Sequence, residues 1–128
     1  MWYRHPRVRA FWYAFRGIGW LLRQEVHARI HLTVTLAVLL VGGWLGIPAR
    51  DWVPLFLAMG LVWMAEALNS ALEAALDVVH PEHHPGIARA KDMAAGGVLL
   101  AVFAAVLVGL WILGPPLWAL VFGQKFGQ

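Results

Sequence analysis

Four polar side chains recur at a helical spacing inside an otherwise apolar stretch of the sequence. Residues 66–77 read EALNSALEAALD, in which Glu66, Asn69, Glu73 and Asp77 are separated by three, four and four residues. Residues at this spacing share one face of an α-helix, and at about 1.5 Å per residue they extend over roughly 16 Å. A buried, ionised carboxylate is costly in a membrane unless it is paired, metal-bound or hydrated. A cation or a proton is therefore expected on this face.

Carboxylates are good ligands for a hard divalent cation. Mg²⁺ prefers carboxylate and phosphate oxygens, so it is the cation that we expect here. The alternative is that these groups only hold helices together by hydrogen bonds, which suits Asn69 and Ser70 better than Glu66 and Glu73. The sequence contains no G-x-x-x-x-G-K-[ST], so any bound nucleotide would be held without a P-loop.

A second group of reactive side chains follows in HPEHHPGIARAKD, at 80–92. Three histidines within five residues are compatible with zinc. The two prolines favour an extended or turned loop, however, and no complementary ligand set is evident, so no zinc site is predicted. Lys91 is placed to face a phosphate, with Asp92 accepting hydrogen bonds. Anchoring of Arg89 and Lys91 at the membrane surface is the alternative, and it is compatible with the first role.

The composition is that of an integral membrane protein. Of 128 residues, 61% are hydrophobic and 13% are charged, whereas a soluble domain carries about 25% charged residues. Cysteine is absent, which excludes disulfides and thiolate metal sites. The net charge of +3 comes from arginines beside an apolar segment, which indicates anionic lipid headgroups rather than nucleic acid as the counter-charge. The N-terminal residues lack the apolar core of a signal peptide, so we expect none.

Three stretches are long enough to cross a bilayer, which requires about 20 mostly apolar residues. We predict transmembrane helices at about 30–47, 52–79 and 93–113. Pro48 follows the first, and Gly114-Pro115-Pro116 is expected to end the third because proline interrupts a helix. No role is assigned to the tail at 117–128.

The segment before the first span predicts an amphipathic surface helix at about 8–27. At about 100° per residue its apolar residues fall within one arc, while Arg9, Arg16 and Arg23 recur on another side. Glu25 breaks this sorting, because it projects beside the apolar arc and away from the arginines. A helix that only binds lipid has no use for an acid at that position.

The distribution of Lys and Arg predicts the orientation of the chain. Eight basic residues precede the first span or lie between the second and the third. Only Arg50 and Lys125 lie on the opposite side. The excess predicts a cytoplasmic N-terminus and a cytoplasmic loop at 80–92.

These residues resemble the small prokaryotic diacylglycerol kinase and undecaprenol kinase family of integral membrane lipid kinases. The resemblance rests on EALNSALEAALD at 66–77 and HPGIARAKDMAAG at 84–96. It extends to FWYAFRG at 11–17 and RQEVHARIHL at 23–32, and covers about residues 10–113. The run E-x-x-N-[ST]-A-x-E-x-x-x-D with a downstream A-K-D is highly specific.

The resemblance implies an all-α membrane protein with a single lipid kinase domain over residues 1–128. The expected fold is the surface helix plus three transmembrane helices, assembled as a homotrimer with active sites between subunits. The implied reaction uses Mg²⁺ and transfers the γ-phosphate of ATP to the hydroxyl of a membrane lipid alcohol. The implied location is the bacterial plasma (inner) membrane, with multiple spans.

The substrate is open between two lipid alcohols. The R-I-H-L stretch and the loop sequence resemble the undecaprenol kinase branch, which favours undecaprenol. The alternative is a diacylglycerol kinase that makes phosphatidic acid. A more remote alternative is a non-enzymatic proton or cation conduit along the face from Glu66 to Asp77, which leaves Glu25 and the A-K-D run unexplained.

Site roles carry over from the family by position. Glu66 matches the catalytic base that takes the proton of the lipid hydroxyl, and Glu25 and Glu73 match the carboxylates that hold Mg²⁺. Asn69 and Asp77 match residues that support this site.

The resemblance also implies contacts with the nucleotide. The positions that match them are Tyr13, Glu25, Glu73, Glu82, His84, Lys91 and Asp92. The family has one further nucleotide-contacting arginine near its N-terminus, and the choice among Arg4, Arg7 and Arg9 is open.

Overall fold

The computed structural model describes residues 7–123, and within this range the chain forms four helices. They are α1 (Arg7–Gln24), α2 (Val26–Leu45), α3 (Ala49–Val79) and α4 (Pro85–Phe122). Of the residues named above, Arg4 and Lys125 lie outside the described range, as does the end of the tail from residue 124 onward. The prediction of an all-α fold is confirmed.

Three of these helices, α2, α3 and α4, are long and apolar enough to cross a membrane by length and composition. They contain 20, 31 and 38 residues. At about 1.5 Å per residue, α3 and α4 measure roughly 46 and 57 Å, against a hydrocarbon layer of about 30 Å. Both helices are therefore longer than a single perpendicular crossing requires.

The chain bends between α1 and α2 at Glu25. This residue has an extended backbone, with φ −98° and ψ 120°, although its N–H still donates to the Leu21 carbonyl at 2.9 Å. The predicted surface helix of about 8–27 is thus too long at its C-terminal end. The following helix begins at Val26, before the predicted residue 30, because the chain resumes helical geometry directly after the bend.

A tight turn joins α2 to α3. The N–H groups of Gly46 and Ile47 donate to the carbonyls of Gly43 and Gly42 at 3.2 and 3.3 Å, which is the Schellman arrangement. Gly46 has φ +64° and ψ 41°, a left-handed conformation that glycine adopts without steric cost. Pro48 then caps the start of α3, so α3 begins three residues before the predicted position.

Helix α4 continues through Pro115 and Pro116 to Phe122. The helix therefore does not end at Gly114-Pro115-Pro116, where the third span was predicted to end. Proline has a helical φ, but it lacks the N–H and its ring crowds the carbonyl of the preceding turn; in a membrane-spanning helix these costs do not require that the helix end. After the prolines, Trp118 and Phe122 pack against each other with ring centroids 4.2 Å apart.

The start of α4 also differs from the prediction. His84 is its N-cap, with Nδ1 accepting the Gly86 N–H at 3.0 Å, and Pro85 occupies the first turn. Proline suits this position because its missing N–H would have no helical partner there. The helix consequently begins eight residues before the predicted start of the span at residue 93, and Lys91 and Asp92 lie within it.

The helices pack with little buried surface in a single chain. The most extensive packing joins α3 to α4, and α3 also contacts both α1 and α2. The buried apolar residues of the described range are Leu21, Ala28, Leu55, Val62, Ala101 and Leu113. Large apolar side chains are exposed on every helix. An isolated chain therefore presents an apolar exterior that only lipid or other subunits can cover.

Candidate active site

The polar face of α3 lies within one uninterrupted helix. Glu66, Asn69, Glu73 and Asp77 all belong to Ala49–Val79, and their spacing keeps them on one side. The neighbouring elements differ along this face, since Glu66 meets α2 whereas Glu73 and Asp77 face a cavity shared with α1. The face is thus divided into two environments.

A cavity of about 700 Å³ between α1 and α3 brings three acids together. Glu25 comes from the bend after α1, and Glu73 and Asp77 come from the last turns of α3. The α3 wall is otherwise formed by small residues: Ala67, Ser70, Ala71 and Ala74. Glu25 is half-buried, whereas Glu73 and Asp77 are exposed. The bend thus places Glu25, directly after α1, on the wall of the cavity that the acids of α3 also line.

A second cavity, of about 270 Å³, lies beside the first under the loop before α4. Glu82, His84 and Lys91 line it, and Asp77 belongs to the walls of both cavities. Lys91 Nζ donates to Asp77 Oδ1 at 2.5 Å. Lys91, which was predicted to face a phosphate, is thus paired with a carboxylate at the junction of the two cavities.

Glu66 lies outside both cavities and is the buried charged residue of the described range, with 3% of its surface exposed. Its Oε2 lies 3.6 Å from Nε2 of His31 on α2. A second contact lies beside it, one turn before Glu66 on α3 and one turn after His31 on α2. There Trp63 Nε1 donates to Thr35 Oγ1 at 3.0 Å. Two polar contacts therefore join α2 to α3 in an otherwise apolar interface.

The three remaining predicted residues, Tyr13, Asn69 and Asp92, do not line either of these cavities. Tyr13 is on α1, with the Arg16 guanidinium 5.5 Å from the centroid of its ring. Asn69 is half-buried, and Asp92 is exposed on α4.

His31 is the residue of this region that was not predicted from the sequence. The available signal was an ionisable side chain near the start of a span otherwise free of charge. Its partner on α3 is 35 positions away along the chain, and no periodicity within one helix links the two residues.

The acids of the first cavity fit a magnesium ion. Within residues 7–123 there is no cluster of three or more His, Asp or Glu side chains arranged to enclose a metal ion. Mg²⁺ commonly uses one or two carboxylates and takes its other ligands from phosphate and water. Glu25 and Glu73, whose carboxylates line one cavity, match that requirement.

Comparisons with known proteins agree on one family. The sequence profile described as prokaryotic diacylglycerol kinase matches residues 12–113. The chain is 34% identical to the undecaprenol kinase of Bacillus subtilis (strain 168) over 109 residues, which cover 85% of this chain and 89% of that protein.

Two diacylglycerol kinases are similarly related. That of Synechocystis sp. is 38% identical over 113 residues, covering 88% of this chain and 65% of that protein. That of Escherichia coli (strain K12) is 30% identical over 120 residues, covering 94% of this chain and 91% of that protein. These relatives are kinases of lipid alcohols, which confirms the resemblance drawn from residues 66–96. The chain therefore belongs to the prokaryotic diacylglycerol kinase family of lipid-alcohol phosphotransferases.

Proposed function

We propose that this protein transfers the γ-phosphate of ATP to the hydroxyl of a membrane lipid alcohol in a reaction that requires Mg²⁺. The observation that carries the proposal is the cavity that Glu25 and Glu73 both line, whose wall also includes Asp77, the partner of Lys91. Phosphoryl transfer needs mainly in-line positioning and neutralisation of the phosphate oxygens. Two carboxylates for a metal and one adjacent ammonium group supply what that neutralisation needs.

In this proposal the α1–α3 cavity receives the triphosphate. Glu25 and Glu73 hold the magnesium ion, which when bound neutralises charge on the phosphate oxygens. Lys91 contacts a phosphate, and Asp77 keeps its ammonium group at the edge of the cavity. Glu82 and His84 line the adjoining cavity, and we assign them contacts with the nucleotide, together with Tyr13 and Asp92.

Glu66 acts in this proposal as the general base. Its carboxylate accepts the proton of the lipid hydroxyl as the hydroxyl oxygen bonds to the γ-phosphorus and ADP departs. The products are the lipid phosphate, ADP and one proton. Asn69, one turn from Glu66 toward the acids of the cavity, supports this site.

An apolar cavity supports a substrate with a long hydrocarbon chain. It measures about 480 Å³, lies between α2, α3 and α4, and is lined almost wholly by apolar side chains. His31 and Thr35 are its polar residues, and His31 also contacts Glu66. A lipid whose chain lies against this surface would bring its hydroxyl to the level of His31 and Glu66.

The proposed arrangement in the membrane follows from charge and surface. We place α1 on the cytoplasmic face of the bacterial inner membrane, with the N-terminus cytoplasmic, because the basic residues concentrate there. We also propose a homotrimer. The apolar exterior of the single chain and the separation of Glu66 from the Glu25–Glu73 cavity both favour a site completed by a neighbouring subunit.

The test is an assay with radiolabelled ATP that offers undecaprenol and diacylglycerol side by side. We expect Mg²⁺-dependent labelling, with undecaprenol favoured because R-I-H-L at 29–32 resembles that branch. Preferential labelling of diacylglycerol would reverse the choice of substrate and make phosphatidic acid the product. Cation conduction in liposomes without labelling of either lipid would replace the kinase proposal with a conduit.

Replacing Lys91 with alanine is expected to lower kcat/KM for ATP by about 10- to 10²-fold. The reason is that a hydrogen bond to a charged phosphate contributes about 1.5–3 kcal/mol. The measurement is initial-rate kinetics at varied ATP with saturating lipid. Arg89→Ala is the matched control, because Arg89 is the other basic residue of the segment and is exposed. An equal loss in both variants would assign Lys91 only to anchoring at the membrane surface.

A further inference from the structure

The contact between His31 and Glu66 is the starting point for an inference that rests on the proposed role of Glu66 as base. Glu66 is 3% exposed, and the side chain of His31 is 17% exposed. The 3.6 Å between Nε2 and Oε2 is slightly longer than a hydrogen bond. A displacement of about 0.5 Å closes it, and catalytic hydrogen bonds are often this long before substrate binds.

A neighbouring contact fixes how α2 faces α3. His31 and Thr35 are four residues apart on α2, and Trp63 and Glu66 are three residues apart on α3. Each pair lies on one side of its helix. The Trp63–Thr35 hydrogen bond of 3.0 Å therefore restrains rotation of α2 about its axis, and it holds the imidazole of His31 against the carboxylate of Glu66.

We propose that His31 is a positioning residue for the catalytic carboxylate. Its Nε2–H donates to Oε2 of Glu66, which fixes the plane of the carboxylate and leaves Oε1 to accept the proton of the lipid hydroxyl. The tautomer with hydrogen on Nε2 is assigned from the partner, because an ionised carboxylate only accepts hydrogen bonds. Fixed orientation of a base accelerates proton transfer, and misplacement by about 1 Å can cost 10²-fold in rate.

The position of His31 suits this role in a second way. The same residue lines the apolar cavity between α2, α3 and α4, so it lies at the boundary between the proposed lipid surface and the carboxylate. Glu73 and Asp77, which line the α1–α3 cavity, are on the C-terminal section of α3, opposite α1. A change at His31 should therefore affect the step that involves the hydroxyl, and leave ATP binding as it is.

The experiment compares His31→Leu, His31→Gln and His27→Leu with the wild type in the labelled-ATP assay. Leucine fills the site and favours folding in a membrane, but it donates no hydrogen bond, whereas glutamine retains an N–H donor. We expect kcat to fall by about 10²-fold in His31→Leu with KM for ATP unchanged. We expect His31→Gln to recover most of that loss. His27, one turn earlier and exposed, should tolerate leucine with wild-type kinetics.

Each result supports or overturns the inference. Equal losses in His31→Leu and His31→Gln, a raised KM for ATP, or wild-type kcat in His31→Leu would overturn the positioning role. Glu66→Gln in the same series separates this failure from that of the proposed function. If Glu66→Gln is inactive while His31→Leu is fully active, only the role of His31 fails. If Glu66→Gln is fully active, both the role of Glu66 as base and the role of His31 fail.

Discussion

Glu66→Gln is expected to reduce kcat by about 10²- to 10⁴-fold, the range over which general-base catalysis contributes to enzymatic rates. Glutamine keeps the size and the hydrogen-bonding capacity of the side chain, but it cannot take the hydroxyl proton. KM for ATP should change little, because Glu66 is outside the cavity lined by Glu25 and Glu73. The measurement is initial-rate kinetics with labelled ATP and saturating lipid alcohol.

Asp51→Asn is the matched control for this variant. Asp51 is also an acid of α3, but it lies in the first turn of the helix, 15 positions before Glu66, where it contacts Arg50 at 4.0 Å. It should keep wild-type kcat. If Glu66→Gln also kept wild-type kcat, the hydroxyl proton would have to leave by another route.

Glu73→Gln and Glu25→Gln are each expected to raise the Mg²⁺ concentration required for half-maximal activity. At fixed Mg²⁺ each variant should lose about 10²-fold or more in kcat/KM for ATP, because even partners that only orient a metal ligand contribute 10- to 10²-fold. The physical reason is that a neutral amide replaces a carboxylate at a cavity wall. Initial rates across a Mg²⁺ titration at constant ATP measure the effect.

Combining the two substitutions tests whether the acids share one ion. If Glu25 and Glu73 bind the same Mg²⁺, the double variant should lose much less than the product of the two single losses, since ligands of one metal act as a unit. Multiplicative losses would indicate two independent sites. An unchanged Mg²⁺ requirement in both single variants would show that Glu25 and Glu73 do not bind the metal.

The spacing of Glu66, Asn69, Glu73 and Asp77 was enough to predict a shared face, because the period of a helix is a local property of the chain. The three apolar helices were likewise predictable from length and hydrophobicity. Helix ends were less predictable, since the same Gly-Pro-Pro that ends many helices is contained within α4. The outcome there depends on the cost of a lost hydrogen bond, which the surroundings determine.

Contacts between helices were the part that the sequence did not predict. The pairing of Asp77 with Lys91 and of Glu66 with His31 depends on how each helix is rotated about its axis. Glu25 was singled out from the sequence because it projects beside the apolar arc, away from the arginines, but the bend at which it meets the α1–α3 cavity is a backbone feature of one residue. No hydrophobic periodicity encodes such a bend.

The length of α4 has a consequence for how the protein sits in a bilayer. From Met93 to Phe122 this helix carries no charged residue, so its apolar stretch measures about 45 Å and exceeds the hydrocarbon thickness by about 15 Å. Such a mismatch is relieved by tilting the helix or by local thickening of the bilayer. Because α3 packs along α4, a tilt of α4 also changes the depth of Glu66. In the proposed reaction, the thickness of the host membrane thereby becomes a variable that sets the height at which a lipid hydroxyl would meet this carboxylate.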